Sequence, residues 1–453
     1  MTYQEATEYL NSFIDYERQS RYDYNKAFEL ERMRRLARLL GNPHEEIRSI
    51  HIAGTKGKGS TSAIIQSILT QAGFKTGLYT SPHLVSFRER IRIGSSLITE
   101  EDVGRILEKV RSATEELNDE GLSFFEVYTA LAYLYFKERR CDFAVYETGL
   151  GGRLDATNII KPLVSVITPI SYEHTDKLGS TLREIASEKG GIIKEGGICV
   201  LAPQEEEALG ALEKICEAKK ARIVLVGRDV RARELSSNEE KEAFSVSGMS
   251  AEYPRLEMRL LGSHQVVNAA TAIAAVETLR GHGIEISAGD IRKGIAAAVW
   301  PGRLEVVSRG PFVLLDGAQN KASANVLSSA VKKIFRGRGK YKDLVLVLGV
   351  SKDKDIKGIL EELLPIADRV ILTKSKIVER AAEPSAIRGL MRAGGKEAVL
   401  TSNVKEALEK AFSKTGKEDF ILITGSLFVV GEAIELLQEI ACLPARQASL
   451  RSQ

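Results

Sequence analysis

A glycine-rich run between a predicted strand and a predicted helix constrains the fold more than any other feature of this chain. The run, Gly54-Thr-Lys-Gly-Lys-Gly-Ser60, follows the apolar segment 50–53 and precedes a helical pattern over 61–71. In this context backbone N–H groups can converge on phosphate at a helix N-terminus, and Lys58 adds a positive charge. We therefore predict a nucleotide-phosphate site formed by Thr55, Lys56, Gly57, Lys58, Gly59 and Ser60.

The run is not a strict Walker A sequence. Counting back from Gly57-Lys58, the expected first glycine falls on Ile52, and Gly59 stands at the usual Ser or Thr position. The alternative interpretation is a tight turn that uses glycine for its positive φ. The strand before the run and the helix after it favour the phosphate loop.

Short apolar segments alternate with amphipathic helical patterns along most of the chain. After helical patterns over 4–14 and 26–40, candidate strands lie near 48–53, 75–79, 142–147, 163–168, 198–202 and 222–226. Helices are predicted between them, near 60–72, 100–117, 123–140, 181–190 and 205–219. Strand signals over about 242–261 follow one another without a helix and suggest a small antiparallel addition. Since regular alternation is typical of parallel sheets, we predict an α/β fold.

Helices predicted over 264–280 and 288–298 lead to Trp300-Pro-Gly-Arg303, where Pro and Gly end the pattern, and we place a domain boundary there. Residues 1–298 are predicted to form a mostly parallel-sheet, P-loop-type ATP-binding domain. A smaller Rossmann-like α/β domain is predicted over 299–442, with strands near 304–308, 312–316, 343–349, 368–373 and 419–424. The polar end, 443–453, is expected to be frayed.

Charge and cysteine content argue against several classes of protein. The 453 residues carry 64 basic and 61 acidic side chains, and the net charge of +3 is too balanced to indicate nucleic-acid binding. The four cysteines are widely separated, which fits neither a zinc site nor a disulfide framework and favours the cytoplasm. The N-terminal residues lack the pattern of a secretion signal, and no apolar run approaches the roughly 18 residues of a membrane span. We expect a cytoplasmic protein that binds neither nucleic acid nor membrane.

Polar side chains follow three of the predicted parallel strands. Ser81 comes after the second strand, Glu147 ends the third and His174 follows the fourth. In an open α/β sheet, ligands bind at the carboxyl ends of the strands, so these side chains can face a nucleotide held by the loop. Taken singly, Ser81 suits a turn and His174 a surface histidine. Their convergence on one edge instead favours Mg²⁺, which prefers oxygen ligands.

Lys189 has two interpretations. It ends a helical pattern and precedes Gly190 and Gly191. A solvated lysine is favoured at a helix C-terminus by the helix dipole. A buried lysine whose pKa falls can instead react, for example with CO₂ to give a carbamate that behaves as a carboxylate. The residue pattern leaves both open.

The order and spacing of the motifs match a known family. The most specific are the glycine-rich loop and Glu147-Thr-Gly-Leu-Gly-Gly-Arg-Leu-Asp-Ala-Thr-Asn158. The supporting motifs are Ser81-Pro-His83, His174-Thr-Asp-Lys-Leu-Gly179, Glu188-Lys189, His264-Gln-Val-Val-Asn268, Trp300-Pro-Gly-Arg303, Asp316-Gly-Ala318 and Thr424-Gly-Ser426. Together, from about residue 26 to 435, they resemble folylpolyglutamate synthase and bifunctional dihydrofolate synthase of the Mur ligase superfamily.

The resemblance implies roles for these residues. ATP would be contacted by the loop and by Asn268, Arg303 and Asp316, the last two from the second domain, so that domain closure completes the site. One Mg²⁺ would be held by Ser81 and Glu147, and a second by Glu147, His174 and carbamylated Lys189. The residues implied in catalysis are Lys58, Glu147, His174, Lys189 and Arg303.

The resemblance also implies a pterin site at Ser123, Phe125 and Asp155. A short polar side chain, an aromatic face and a carboxylate suit a flat ring with N–H donors. Phe125 suits the core of a helix equally well.

Two positions depart from the family pattern. Gln319 stands in Asp316-Gly-Ala-Gln-Asn320 where the family commonly has His, so a role that needs an ionisable imidazole is excluded there. Lys56 replaces a frequent Asn and adds a positive charge near the phosphates.

The resemblance predicts an ATP-dependent carboxylate–amine ligase. The γ-phosphoryl group of ATP would pass to a carboxylate of dihydropteroate or a reduced folate, and the amine of L-glutamate would attack the acyl phosphate. We favour both acceptors in one protein and expect a monomer. A peptidoglycan-precursor ligase is disfavoured, because the 53 residues before Gly54 are too few for a nucleotide-sugar domain. An ATP-hydrolysing regulatory module is disfavoured by the paired metal candidates and by Arg303 and Asp316.

Overall fold

The fold contains two large sheets formed by successive stretches of the chain. A computed structural model describes residues 1–17, 22–24, 28–117, 121–336, 341–377, 379–391 and 396–442. The strands of the first sheet are β1 Arg48–Ala53, β2 Thr76–Tyr79, β3 Ile91–Ile93, β4 Ser96–Leu97, β5 Phe143–Glu147, β6 Val164–Ile167, β7 Ile198–Leu201 and β8 Arg222–Leu225. Their order is β4-β3-β2-β5-β1-β6-β7-β8. Pairing is parallel from β2 to β8, and β3 and β4 add an antiparallel edge.

Helices cover both faces of this sheet, which is why its central strands are buried along nearly their whole length. One face packs against α3 Lys58–Gln71, α9 Ser263–Thr278 and α10 Ala288–Ala297. The other face packs against α1 Tyr3–Asn11, α2 Leu30–Leu39, α4 Glu100–Glu116, α5 Phe124–Glu138, α7 Leu182–Gly190 and α8 Glu206–Ala218. The one-turn helix α6, Thr175–Leu178, follows β6.

A separate three-stranded antiparallel sheet packs onto the α9 side of the first core. Its strands are β9 Arg231–Ser237, β10 Glu242–Ser247 and β11 Glu252–Met258. The predicted addition over 242–261 omitted β9. The omission has a physical reason, since β9 reads Arg-Ala-Arg-Glu-Leu-Ser-Ser, is largely exposed and is held by backbone pairing with β10.

The second large sheet follows residue 300. Its strands are β12 Glu305–Arg309, β13 Phe312–Leu315, β14 Leu344–Leu348, β15 Arg369–Leu372, β16 Ala398–Leu400 and β17 Phe420–Thr424. They are ordered β12-β13-β17-β14-β15-β16, all parallel except β12. One face packs against α11 Lys321–Ala330, α12 Ile356–Leu363 and α13 Pro384–Met391, and the other against α14 Val404–Ser413 and α15 Leu427–Cys442.

The predicted α/β class with mostly parallel sheets is confirmed. The short strands β3, β4 and β16 were not predicted from the sequence, and the predicted helix over 26–40 begins only at Leu30. Residues 26 and 27 of that prediction, and the predicted frayed end over 443–453, lie outside the described residues. Within the described part of the chain, no helix is both long enough and apolar enough to cross a membrane.

Strand order brings the carboxyl ends of three strands together. β1 lies between β5 and β6, so the segments that follow these strands emerge side by side at one edge. This is the position at which open α/β sheets bind ligands. Similarly, β13 and β17 are neighbours in the second sheet. The segments after them contain Asp316 and Ser426, respectively.

Candidate active site

The glycine-rich loop connects β1 to α3 and leaves the N-terminus of that helix open. Gly57, the residue before α3, has a φ of 82°, in the left-handed region that favours glycine. No side chain of the described residues caps the first turn of α3. The N–H groups of Thr55 and Lys56 each donate to the carbonyl oxygen of Pro169 at 3.1 Å and fix the loop to the segment after β6. The open first turn is suited to an anion.

A cavity of about 360 Å³ lies between this loop and the second sheet. Its lining includes all the residues predicted to bind nucleotide, namely Thr55, Lys56, Gly57, Lys58, Gly59, Ser60, Asn268, Arg303 and Asp316. Ser81, Glu147 and His174 also line it. Lys189 and the predicted pterin residues lie outside the lining. The structure thus brings the predicted nucleotide residues and three of the four predicted metal ligands to one place.

Lys58 and Glu147 face each other in the cavity. The Lys58 Nζ atom lies 3.9 Å from Glu147 Oε1, and the Glu147 side chain is only 5% exposed. The N–H of Ser81 donates to Glu147 Oε2 at 3.4 Å. Burial raises the pKa of Glu147 to about 7, although the charge of Lys58 opposes the rise. A buried carboxylate with so few compensating contacts is suited to bind a further cation.

His174 begins α6 in a left-handed conformation, with a φ of 52°. Burial lowers the pKa of its imidazole to about 4, so the ring is neutral near pH 7 and has a nitrogen lone pair available. Together, Ser81, Glu147 and His174 offer a hydroxyl, a carboxylate and an imidazole. Among the described residues, no three His, Cys, Asp or Glu side chains come together in a group that could hold a metal ion by itself. The donor set fits Mg²⁺ that keeps several of its waters.

Lys189 lies directly behind the glycine-rich loop. Its side chain is buried, and Nζ donates to the carbonyl oxygen of Gly54 at 2.8 Å. Burial, followed by the nearby charge of Lys58, lowers the pKa of Lys189 to about 7. The interpretation of Lys189 as a solvated lysine is therefore wrong. Its carbamylation stays a prediction.

Arg303 and Asp316 form the opposite wall. The Asp316 carboxylate is buried and accepts hydrogen bonds from the N–H groups of Leu304 at 3.0 Å and Ala318 at 2.9 Å. Burial raises the pKa of Asp316, and the charge of Arg303 counters the rise. Arg303 donates from Nη1 to the carbonyl oxygen of Gly302 at 3.0 Å. The bond from Leu304 ties Asp316 to the segment that carries Arg303, and the bond from Ala318 fixes the loop of Asp316 itself.

Two contacts around α3 were not predicted from the sequence. Gln265 donates to Ser60 Oγ at 3.4 Å and accepts from Asn268 Nδ2 at 2.9 Å. Its spacing of three from Asn268 places both on one face of α9, a signal that the sequence did contain. The Trp300 ring packs on Gly59, where a Cβ would lie 2.7 Å from it.

Glu173 is a further site residue, and it belongs to the polar run Glu173-His-Thr-Asp176 after β6 in which the sequence assigned a role only to His174. Its Oε1 atom accepts from Lys56 Nζ at 3.1 Å and from Asn320 Nδ2 at 3.0 Å. Lys56 belongs to the glycine-rich loop, whereas Asn320 begins α11 beside the second sheet. The position of Glu173 directly before His174, at the carboxyl end of β6, was the available signal.

The residues predicted to hold a pterin have structural partners in this chain. Ser123 caps α5, and its hydroxyl donates to Glu126 Oε2 at 2.7 Å. Asp155 is fully buried and accepts from the N–H groups of Gly149 and Leu150 and from the N–H and hydroxyl of Thr157. These four bonds use the acceptor capacity of a carboxylate.

Phe125 differs from Ser123 and Asp155, because its ring is only partly buried and packs against Gly149, where a Cβ would lie 2.8 Å away. Its ring centroid lies 5.8 Å from that of Tyr79. Phe125 is thus the predicted pterin residue whose side chain has surface left for a ligand.

Comparison with known proteins identifies the family. Residues 52–276 match the Mur ligase middle domain, and residues 302–427 match the Mur ligase glutamate ligase domain. The dihydrofolate synthase/folylpolyglutamate synthase of Bacillus subtilis is 35% identical over 412 residues, covering 89% of this chain and 93% of that protein.

Solved structures agree with the sequence match. The folylpolyglutamate synthase of Mycobacterium tuberculosis complexed with ADP is 31% identical and superposes with a TM-score of 0.86, covering 96% of this chain and 98% of that one. Escherichia coli FolC in complex with DHPP and ADP is 30% identical and superposes with a TM-score of 0.84, covering 97% and 98%. The resemblance predicted from the motifs is confirmed. The chain belongs to the Mur ligases and, within them, to the family of folylpolyglutamate and dihydrofolate synthases.

Proposed function

We propose that this chain is an ATP-dependent ligase that joins L-glutamate to dihydropteroate and to reduced folates. The observation that carries the proposal is the single cavity in which the glycine-rich loop, Glu147 and His174 face Arg303 and Asp316. The names of the relatives and the ADP in the solved structures support the same activity. An enzyme of this kind activates a carboxylate as an acyl phosphate by transfer of the γ-phosphoryl group, with release of ADP. The amine of L-glutamate then attacks the acyl carbon and phosphate leaves.

The chain's own residues supply positioning and positive charge. The open N-terminus of α3 and the Lys58 ammonium bind the phosphates of ATP, and Lys58 exchanges Glu147 for phosphate as its partner. Arg303 approaches from the opposite wall and stabilises the charge that develops during phosphoryl transfer. Asp316 orients the Arg303 segment through the hydrogen bond that it accepts from the Leu304 N–H.

We propose that one Mg²⁺ would be held by Ser81 and Glu147, and a second by Glu147, His174 and a carbamate of Lys189. Bound Mg²⁺ would neutralise phosphate charge during transfer. A Lys189 pKa of about 7 supports the carbamate, since the neutral amine is the form that reacts with CO₂ and a large fraction of it is present near pH 7.

For the acceptor, we propose that a pterin packs on the exposed side of the Phe125 ring. Asp155 then supports the site without contacting the pterin, because it accepts hydrogen bonds from the N–H groups of Gly149 and Leu150 and holds that loop against the Phe125 ring. A direct contact between Asp155 and the pterin would require one of its four internal hydrogen bonds to open. Ser123 fixes the start of the helix that carries Phe125.

We also propose that residues 1–298 and 299–442 are separate domains that close around ATP. The separate sheets and the two separately matched family domains support this division. We propose that the enzyme is monomeric and cytoplasmic. The free thiols of the buried residues Cys141, Cys199 and Cys216 are consistent with a reducing compartment.

Acceptor profiling tests the function. The purified protein is incubated with ATP, Mg²⁺ and L-glutamate, with dihydropteroate or tetrahydrofolate as acceptor, and products are identified by mass spectrometry. We expect a single glutamate added to dihydropteroate and one or more added to tetrahydrofolate, each with stoichiometric phosphate release. Phosphate release without any glutamylated product would contradict the proposal and favour a regulatory ATPase. A product with only one acceptor would contradict bifunctionality alone.

A further inference from the structure

Glu173 joins two parts of the active site that are distant in sequence. One of its oxygen atoms, Oε1, accepts from Lys56 at 3.1 Å and from Asn320 at 3.0 Å. Lys56 is part of the glycine-rich loop on the first sheet. Asn320 is 147 residues from Glu173 in the chain and lies beside the second sheet. The carboxylate therefore bridges the two walls of the nucleotide cavity.

The Asn320 end of this bridge is rigid. Asn320 caps α11, and its Oδ1 atom accepts from the N–H of Ser323 at 3.0 Å, while Nδ2 donates to Glu173. Only Gly317, Ala318 and Gln319 separate Asn320 from Asp316. Asp316 in turn is bonded to the N–H groups of Leu304 and Ala318. The position of Glu173 is thus transmitted over a few bonds to the segment that carries Arg303.

The surroundings strengthen the contact. The Glu173 side chain is 14% exposed and that of Lys56 is 32% exposed, so water competes little for the carboxylate. Hydrogen bonds that involve a charged partner are about twice as strong as neutral ones. Each lysine of the loop also has its own carboxylate, since Lys58 faces Glu147 at 3.9 Å and Lys56 faces Glu173 at 3.1 Å. Lys56 is hydrogen-bonded to Glu173, whereas Lys58 lies 3.9 Å from Glu147 and is the lysine that we propose turns to phosphate.

From this geometry we propose that Glu173 is a positioning residue that locks the segment carrying Arg303 and Asp316 onto the phosphate loop. It acts by accepting hydrogen bonds from Lys56 and Asn320 at the same oxygen and does not itself contact substrate. This role presupposes the proposed ligase activity. It predicts that loss of the bridge lowers turnover much more than it weakens nucleotide binding, because Lys58 and the α3 N-terminus remain in place.

A reciprocal exchange of side chains tests the bridge. Asn320→Asp keeps the oxygen that caps α11 but removes the Nδ2 donor and places two carboxylates together. We expect kcat to fall at least 10-fold, with the dissociation constant for a non-hydrolysable ATP analogue changing less than 3-fold. Adding Glu173→Gln restores the hydrogen bond in the opposite direction, because the new amide at position 173 can donate to the new carboxylate at position 320. The double variant should recover most of the lost kcat.

The matched control is Lys333→Met. Lys333 follows α11, beside the second large sheet, and its Nζ atom donates to Glu234 Oε1 at 2.5 Å and to Ser263 Oγ at 3.1 Å, outside the cavity. Lys333→Met removes contacts between the two halves of the chain but changes no residue that lines the cavity. Its kcat should therefore stay within about 2-fold of wild type. Unfolding temperatures of all variants are measured in parallel.

The outcomes separate the two proposals. A wild-type protein that makes no glutamylated product contradicts the ligase assignment. In that case, small-angle scattering still tests the bridge by measuring how far each protein becomes more compact when the ATP analogue binds. Asn320→Asp should show less compaction than wild type, and the double variant should regain it. If the wild type ligates but the double variant is no better than Asn320→Asp, or if Lys333→Met loses as much activity as Asn320→Asp, Glu173 does not have the positioning role.

Discussion

Replacing Lys58 with Met removes one charge while keeping the length of the side chain, and it affects two groups at once. The first is the phosphate that Lys58 is proposed to bind. Loss of one preorganised electrostatic contact to a transition state typically costs about 3–4 kcal/mol, or roughly 10²–10³ in kcat. The second is Glu147, whose Oε1 atom lies 3.9 Å from the Lys58 ammonium. At an effective dielectric constant of about 20, that separation corresponds to an attraction of about 4 kcal/mol.

The Glu147 effect has a definite sign. Burial already raises the pKa of Glu147 to about 7, and Lys58 is the main group that opposes the rise. Removing an attraction of about 4 kcal/mol raises the pKa by up to about 3 further, at about 1.4 kcal/mol for each unit. Metal-free Lys58→Met should therefore hold Glu147 protonated at pH 7. Its affinity for Mg²⁺ should therefore increase more steeply than that of wild type as the pH is raised above 8.

The assay combines kcat at saturating ATP with calorimetric Mg²⁺ titration at pH 7 and pH 9. The Mg²⁺ affinity of wild type should change little between pH 7 and pH 9, because Glu147 completes its deprotonation just above pH 7. Lys58→Met should gain more affinity than wild type at pH 9. Circular dichroism at both pH values checks that the variant is folded. A folded Lys58→Met enzyme with near-wild-type kcat would refute the phosphate role. Equal pH dependence of Mg²⁺ binding in the two proteins would refute the coupling to Glu147.

Three further predictions follow from buried groups. Lys189→Ala should bind the ATP analogue but turn over poorly, and acetate in the vacated space should partly restore activity. An unmodified Lys189, seen both by mass spectrometry under CO₂ and in a Mg²⁺–nucleotide crystal structure, would contradict the carbamate. Burial lowers the pKa of His51 well below 6.5, so the unfolded chain binds the proton first. Titration of His51 leaves the free energy of unfolding unchanged above pH 6.5 and lowers it by about 1.4 kcal/mol for each pH unit below that value. The unfolding temperature of His51→Gln should therefore fall less than that of wild type between pH 7.5 and pH 5.5. Asp155→Ala should lower the free energy of unfolding by about 3 kcal/mol in urea titrations, because it leaves the Gly149 and Leu150 N–H groups without their acceptor. A change below about 1 kcal/mol would show that water replaces the carboxylate.

The sequence predicted the parts of the fold and the site that depend on periodicity and strand ends. The helices that cover both faces bury β1 and β5 along nearly their whole length, and the mostly apolar runs that such strands contain are recognisable without a structure. Glu147 and His174 were predicted to meet because parallel strands end at a common edge. Strand β9 was missed because its polar, exposed side chains lack alternation, and its place in the sheet depends on pairing with β10.

Contacts between distant segments could not be predicted in this way. No local pattern relates Glu173 to Asn320, whose contact depends on how the two sheet units meet. The burial of Lys189 is similar, since its hydrogen bond to Gly54 spans 135 residues. For Asp155, residue type alone suits either a ligand contact or a loop anchor. The distinction requires knowing that four donors already surround its carboxylate.

Trp300 is the single tryptophan of the chain, and it lies where the phosphate loop meets the second half of the molecule. Its ring packs on Gly59, and the Arg92 guanidinium lies 5.4 Å from the ring centroid. An indole in such surroundings changes its emission when neighbouring charges or water are displaced. The enzyme thus contains a natural fluorescent reporter beside its proposed nucleotide site. If the two halves close around ATP as proposed, rapid-mixing fluorescence would follow that closure in real time without a label and without a second emitting tryptophan.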